Sequence, residues 1–281
     1  MAPEAGASAP PVALPVALTV AGSDPSGGAG IQADLKTFHQ HGVYGAAALT
    51  LLTVQNTRGV TEVAVQPPAL VAAQVEAVTS DLTVSAAKTG ALGSAEVVEA
   101  VAEALRGVGF PVVVDPVMIS KHGAPLMDEA ARSVFARAML ADVALLTPNA
   151  HEAEALTGRP VTTRAEAEVA ARVFIDELGC GAVLVKGGHV DEAGDAVDVL
   201  LRRGQNTPLH VRSPRIATRH THGTGCTYSA AITARLAGGD ALEEAVRGAK
   251  AWLTEALRRA PGVGHGSGPV DHLTPLFKTS A

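Results

Sequence analysis

The sequence predicts an α/β fold, a mostly parallel sheet with helices packed on both of its faces. Three observations carry that expectation. Short runs of Val, Leu and Ala without polar alternation mark strands covered on both sides. Between them lie longer stretches with apolar residues three and four apart, the spacing of an amphipathic helix. The two kinds alternate from end to end, as parallel strands joined through helices must.

The elements follow in order. Residues 14–20 read as the first strand and 31–41 as a helix. Residues 46–53 and 60–65 read as strands, divided by a polar turn rich in Asn and Gly, and 69–80 as a helix. A short strand at 85–89 leads to a helix at 95–107. The all-valine strand 112–114 is followed, after a loop, by a helix at 128–140. Another strand is expected at 143–146, with helices at 150–157 and 164–178. Strands at 182–185 and 197–201 precede two closing helices, 224–236 and 241–259. No linker or repeat interrupts the series. One domain is therefore expected over 13–275, with a disordered extension over 1–12 and a tail over 276–281.

Composition narrows the function. At 281 residues, 47% hydrophobic and 3% aromatic, the chain must build its core from Ala, Val and Leu. A net charge of −6 without a Lys/Arg cluster argues against a nucleic-acid surface. No apolar run is long enough to cross a membrane, and the N-terminus lacks the basic start of a secretory signal. A cytoplasmic setting is expected. Of the two cysteines, Cys180 reads as a small buried filler, and a disulfide is not expected.

The stretch His222-Gly223-Thr224-Gly225-Cys226-Thr227 holds the most chemistry. Two glycines opening a helix leave several N–H groups pointing one way, which makes an anion site. A cysteine in that first turn adds a thiol whose pKa a helix N-terminus is expected to lower. The distinctive loops all follow predicted strands, and ligands of such sheets bind beyond the strands' carboxyl ends. Gly22 to Gly30 opens a helix carrying Asp34. It imitates a dinucleotide fingerprint, but its glycines come late and no acidic residue closes the next strand. A flexible glycine turn is the plain alternative to a loop that approaches a small substrate with Asp34 as anchor. Gln55, just past a predicted strand, offers donors and an acceptor to the edge of a heterocycle. Asp115 and Asn149-x-x-Glu152 each follow a strand, and the two carboxylates suit hydrated magnesium shared with phosphates. Glu152 could equally serve its own helix dipole. Lys186, after Ala-Val-Leu-Val, is placed to meet a phosphate as a point charge. Ten histidines show no zinc spacing. The glycine-rich segment Gly262 to Pro269 could pack near the site.

These residues resemble a known family. The segments Ala21 to Lys36, Gln55-Asn56-Thr57, Thr147-Pro148-Asn149, Lys186-Gly187-Gly188-His189 and Thr221 to Thr227 occur in the order found in hydroxymethylpyrimidine/phosphomethylpyrimidine kinases of thiamine biosynthesis. The resemblance runs from Ala17 to His272 and implies the ribokinase-like three-layer sandwich, ATP, Mg²⁺ and a homodimer. It implies a pyrimidine pocket at Gly22, Asp34, Thr53 and Gln55, and a catalytic Cys226 with the turn Gly223, Thr224, Gly225. It also implies a nucleotide site at Asn149, Lys186, Gly223 and Thr224, with magnesium near Asp115 and Glu152. Thr53, Ala91 and His220 depart from residues frequent in relatives. Pyridoxal kinase, with the same chemistry on a pyridine, and a non-catalytic pyrimidine sensor are the alternatives.

Overall fold

The computed structural model describes residues 14–120, 123, 125–127, 129–141, 143–189 and 194–276. The expected extension over 1–12 and the tail after Leu276 lie outside them.

The first strand, β1 (Val16–Ser23), sits between β2 (Tyr44–Asn56) and β4 (Val84–Thr89), parallel to both. Helix α1 (Gly30–Gln40) makes the crossover from β1 to β2. β3 (Gly59–Val65) turns back antiparallel on β2 and forms one edge. Beyond β4 come β5 (Val112–Val114), β6 (Leu145–Leu146) and β7 (Ala182–Val185), all parallel. β8 (Asp195–Arg202) and β9 (Leu209–Pro214) finish the sheet as antiparallel strands. The order is β3-β2-β1-β4-β5-β6-β7-β8-β9.

The pleat sorts the core between two faces. Val113, Leu145, Ala182 and Leu184 face one side, while their neighbours Val114, Leu146, Val183 and Val185 face the other. The first set packs on α7 (Thr224–Ala237) and α8 (Leu242–Arg258), with α1 beside α7. The second packs beneath α2 (Pro68–Asp81), α3 (Ala95–Ala104), α4 (Glu129–Met139), α5 (Ala150–Thr157) and α6 (Arg164–Asp176). The result is the three-layer arrangement that the sequence predicts.

Three expectations need correction. β9 was not expected, because Leu209-His210-Val211-Arg212 alternates apolar with polar, the weak signal of an edge strand. β2 runs on to Asn56, so Gln55 lies inside the strand and not past it, next to a bulge between Val54 and Gln55. β6 is shorter than expected, since Val143 pairs outside the strand ladder and its carbonyl accepts from the Gly181 amide.

Candidate active site

One cavity of about 1160 Å³ lies beyond the carboxyl ends of the parallel strands. The parallel strands deliver residues there at their ends and through the loops that follow: Gly22 to Asp24 from β1, Gly90 and Ala91 after β4, Asp115 after β5, Asn149 after β6 and Lys186 after β7. β2 contributes Leu51, Thr53 and Gln55, alternate residues on one face of its pleat. The loop before α7 closes the circle with Gly223, Thr224, Gly225 and Cys226.

Gly223 is the N-cap of α7 with φ 73°, and a Cβ there would lie 1.7 Å from the Gly28 carbonyl oxygen. Only glycine lets the two loops meet. The Gly225 and Cys226 amides have no backbone partner among the described residues. The Thr224 amide is already engaged, 3.3 Å from the Thr221 carbonyl oxygen. The expected nest is therefore present but narrower than four amides.

Lys186 reaches its mouth. A Cβ on Gly225 would stand 3.3 Å from Lys186 Nζ and 3.8 Å from Asp115 Oδ2. Lys186 donates to Asp115 Oδ1 at 2.9 Å, and Ser229 donates to Asp115 Oδ2 at 3.1 Å. Burial raises the Asp115 carboxyl, but the neighbouring Lys186 and Lys88 ammoniums win and hold it below its ordinary value. Glu152 forms a capping box with Asn149, donating its amide to Asn149 Oδ1 at 2.9 Å and accepting from the Asn149 amide at Oε2, 2.8 Å. Burial pushes its carboxyl up to about 7, with Lys186 opposing and Asp115 adding to the rise. Glu152 thus caps α5, as its helix-dipole reading expects, and it also lines the cavity.

Two expectations fail here. Asp34 does not reach the cavity: it is 0% exposed, accepts from Lys88 at 2.8 Å and from the Thr19 hydroxyl at 2.7 Å. A carboxylate used this way anchors Lys88 and Thr19 beneath the site and does not line the cavity. Nor does the helix N-terminus lower the Cys226 pKa. Desolvation raises that thiol to about 11, and Lys88 only partly offsets it.

A family model described as phosphomethylpyrimidine kinase matches residues 24–271. The chain belongs to the phosphomethylpyrimidine kinase family. It is 47% identical over 266 residues to the hydroxymethylpyrimidine/phosphomethylpyrimidine kinase of Synechococcus elongatus, covering 95% of this chain and 100% of that one. It is 49% identical to the thiamine biosynthesis bifunctional protein ThiED of Geobacter sulfurreducens, over 91% of this chain and 52% of the relative. Among solved structures it resembles the pyridoxal kinase from Staphylococcus aureus in complex with ADP, with a TM-score of 0.85 and 32% identity, covering 94% and 95% of the two chains.

Sequence reasoning gave no role to Lys88 or Asp24, and it singled out the stretch that begins at His222 without the partner of that histidine. Lys88, next to last in β4, is fully buried beneath the cavity; its signal was a lysine inside a strand of small residues. Burial disfavours its charge, yet Asp34, Cys226 and Asp115 around it keep its pKa above the ordinary value. Asp24 and His222 form a buried pair, with Nε2 and Oδ2 2.7 Å apart. Nothing local announces their pairing, because they lie 198 residues apart in the chain. At the opposite end Asp198 accepts from Tyr228 at 3.0 Å and pairs with Lys250 at 2.8 Å, giving the far wall of the cavity a buried polar cluster.

Proposed function

We propose that this kinase transfers the γ-phosphoryl group of ATP to 4-amino-5-hydroxymethyl-2-methylpyrimidine, and then a second one to the resulting monophosphate, in thiamine biosynthesis. The observation that carries this reading is the shared cavity, with an amide nest, Cys226 and Lys186 at one place and an amide-bearing ring pocket at Gln55 beside it. Phosphoryl transfer needs little covalent chemistry, so holding the reactants in line and stabilising charge are enough. The Gly225 and Cys226 amides face the migrating phosphoryl group, and Lys186 lies against its oxygens. Cys226 stands beside the hydroxymethyl group and takes its proton only as the thiolate, the minor form that the nearby Lys88 ammonium favours against burial. The second step needs no base, because a phosphate monoester is already largely anionic near neutrality.

Among the described residues no group of three or more His, Cys, Asp and Glu side chains is arranged to hold a metal alone. Asp115 and Glu152 suit a cation shared with phosphates, since the cap engages only Oε2 of Glu152 and burial leaves that carboxylate seeking positive charge. Magnesium there would neutralise charge on the nucleotide phosphates. No described helix is long and apolar enough to cross a membrane, in keeping with a cytoplasmic enzyme. Leu52 and Val54, 44% and 55% exposed on the outer face of β2, are the surface on which a homodimer would form.

Phosphorus NMR of products from ATP and the hydroxymethylpyrimidine tests the reading: successive mono- and diphosphate signals support it, and an unphosphorylated ring refutes it. The likeness to a pyridoxal kinase supports a second reading, pyridoxal as acceptor. Competition between the two rings in one assay separates them.

A further inference from the structure

At the ring end of the cavity the Gln55 side chain lies between two groups. Its amide nitrogen is 3.2 Å from His222 Nε2, and its oxygen is 3.2 Å from Thr53 Oγ1. Both neighbours have their protons committed elsewhere. Asp24 accepts at Oδ1 from the Ser26 amide and hydroxyl, and at Oδ2 from the amides of Gly28 and Ala29. Burial raises the Asp24 carboxyl, but hydrogen bonds from His222 and Ser26 outweigh that and hold it below its ordinary value. A carboxylate surrounded by donors is itself an acceptor, so His222 Nε2, 2.7 Å away, carries a proton. Gly28 makes this approach possible, since a Cβ there would lie 2.5 Å from His222 Cδ2.

Thr53 is bound by the same logic. Its single hydroxyl hydrogen goes to the Ser23 carbonyl oxygen, 2.9 Å away, because a carbonyl only accepts. Toward Gln55 it offers a lone pair. An amide N–H against the His222 N–H, and an amide oxygen against the Thr53 lone pair, would both repel. A half turn about χ3 exchanges the amide oxygen and nitrogen, which have nearly the same shape, and repairs both contacts together.

We propose that His222, held by Asp24, and Thr53, held by the Ser23 carbonyl, lock the Gln55 amide in one orientation, with Oε1 toward His222 and Nε2 toward Thr53. Gln55 then reads the acceptor ring in one direction only. One N–H remains free on the Thr53 side and one oxygen lone pair on the His222 side. This inference rests on the ring-phosphorylation reading. An aminopyrimidine matches that edge with its ring nitrogen accepting and its amine donating. His222 directly precedes Gly223, so the amine lies toward the nest. The hydroxymethyl group beside the amine is thereby aimed at the phosphoryl site. With the amide reversed, the same two bonds would turn the ring over and carry the hydroxymethyl group away. His222, Asp24 and Thr53 are positioning residues, and a protein with Gln55 but without them would bind either edge.

The test compares the aminopyrimidine with its oxo counterpart, whose ring N–H and carbonyl invert the edge. The unmodified chain is expected to prefer the amino ring by at least about 100-fold, in kcat/KM and in calorimetric Kd, because the inverted edge leaves buried groups mismatched. His222→Phe and Thr53→Val each remove one lock and should lower the ratio severalfold; the double variant should bring it below about tenfold, with the KM for ATP unchanged. Thr53→Val removes only a partly buried hydroxyl and provides a folded comparison should His222→Phe not fold. Equal binding of both rings by the unmodified chain overturns the lock. So does a preference that persists undiminished in every folded variant while both rings weaken alike. Calorimetry needs no turnover, so failure to phosphorylate either ring refutes the kinase reading while the binding ratio still decides the amide orientation.

Discussion

At the residue scale, burial governs the chemistry more than local sequence does. Cys226 stands in a first helical turn beside cationic side chains, and still its pKa is about 11, because removing a thiolate from water costs more than Lys88 returns. In the free chain the thiol is therefore protonated at neutral pH. Alkylation by iodoacetamide should be slow at pH 7, climb about tenfold per pH unit toward 10 as the thiolate fraction grows, and be suppressed by ATP. A fast, pH-independent reaction would contradict this environment. Cys226→Ala should cost the first phosphorylation about 10²–10⁴-fold and the second far less, which separate steady-state assays of the two acceptors would reveal. Lys88 poses a different case. Its ion pair with Asp34 is 0% exposed on both sides, and breaking such a pair costs about 3–5 kcal/mol by leaving a buried charge alone. Lys88→Met should lower denaturant stability by that much, and adding Asp34→Leu should restore most of it.

At the element scale, helix starts double as ligand sites. The α5 capping box uses Glu152 as a cap, and Gln can keep that role because its Oε1 still accepts from the Asn149 amide. Glu152→Gln should thus fold normally while losing at least about tenfold in magnesium-dependent activity. Its carboxyl, about 7 in the fold against an ordinary 4.5, favours folding below that ordinary value, and the contribution is lost as pH rises through 7. The melting temperature of the unmodified chain should accordingly fall more between about pH 5 and 8 than that of Glu152→Gln. An identical pH dependence in both would remove Glu152 as its source. At the start of α7, Gly225→Ala should spare the fold and impair turnover, as its methyl would stand against Lys186 Nζ in the cavity.

At the scale of the whole molecule, the sheet's parallel order gathers loops from β1, β5, β6 and β7 at one edge, while the β2–β3 hairpin leaves Leu52 and Val54 facing outward. Because Leu51, Thr53 and Gln55 point into the cavity, the alternate residues must point away from it. Leu52→Asp with Val54→Asp should convert a dimer into a monomer in sedimentation velocity without disturbing the core. An unchanged sedimentation coefficient would move the dimer surface elsewhere. The Gly262 to Pro269 segment packs on the turn of that hairpin and on the loop before α7: the Gly266 amide donates to Thr57 Oγ1 at 3.1 Å, and the His222 amide donates to the Gly268 carbonyl, also at 3.1 Å.

What the chain's order of residues settled alone was periodic or local. Continuous valine and leucine runs announced strands buried on both faces, and glycines beside Thr224 and Cys226 announced a helix start able to hold an anion. The strand-then-loop pattern by itself places Asp115, Asn149 and Lys186 at one edge of the sheet. What only the tertiary structure decided depended on burial and on distant partners. Asp34 became an anchor beneath the site because Lys88 arrives from a strand 54 residues away, and the Asp24–His222 pair spans 198 residues. A sequence states which groups exist and how they repeat; desolvation and long-range pairing exist only after the chain has closed on itself.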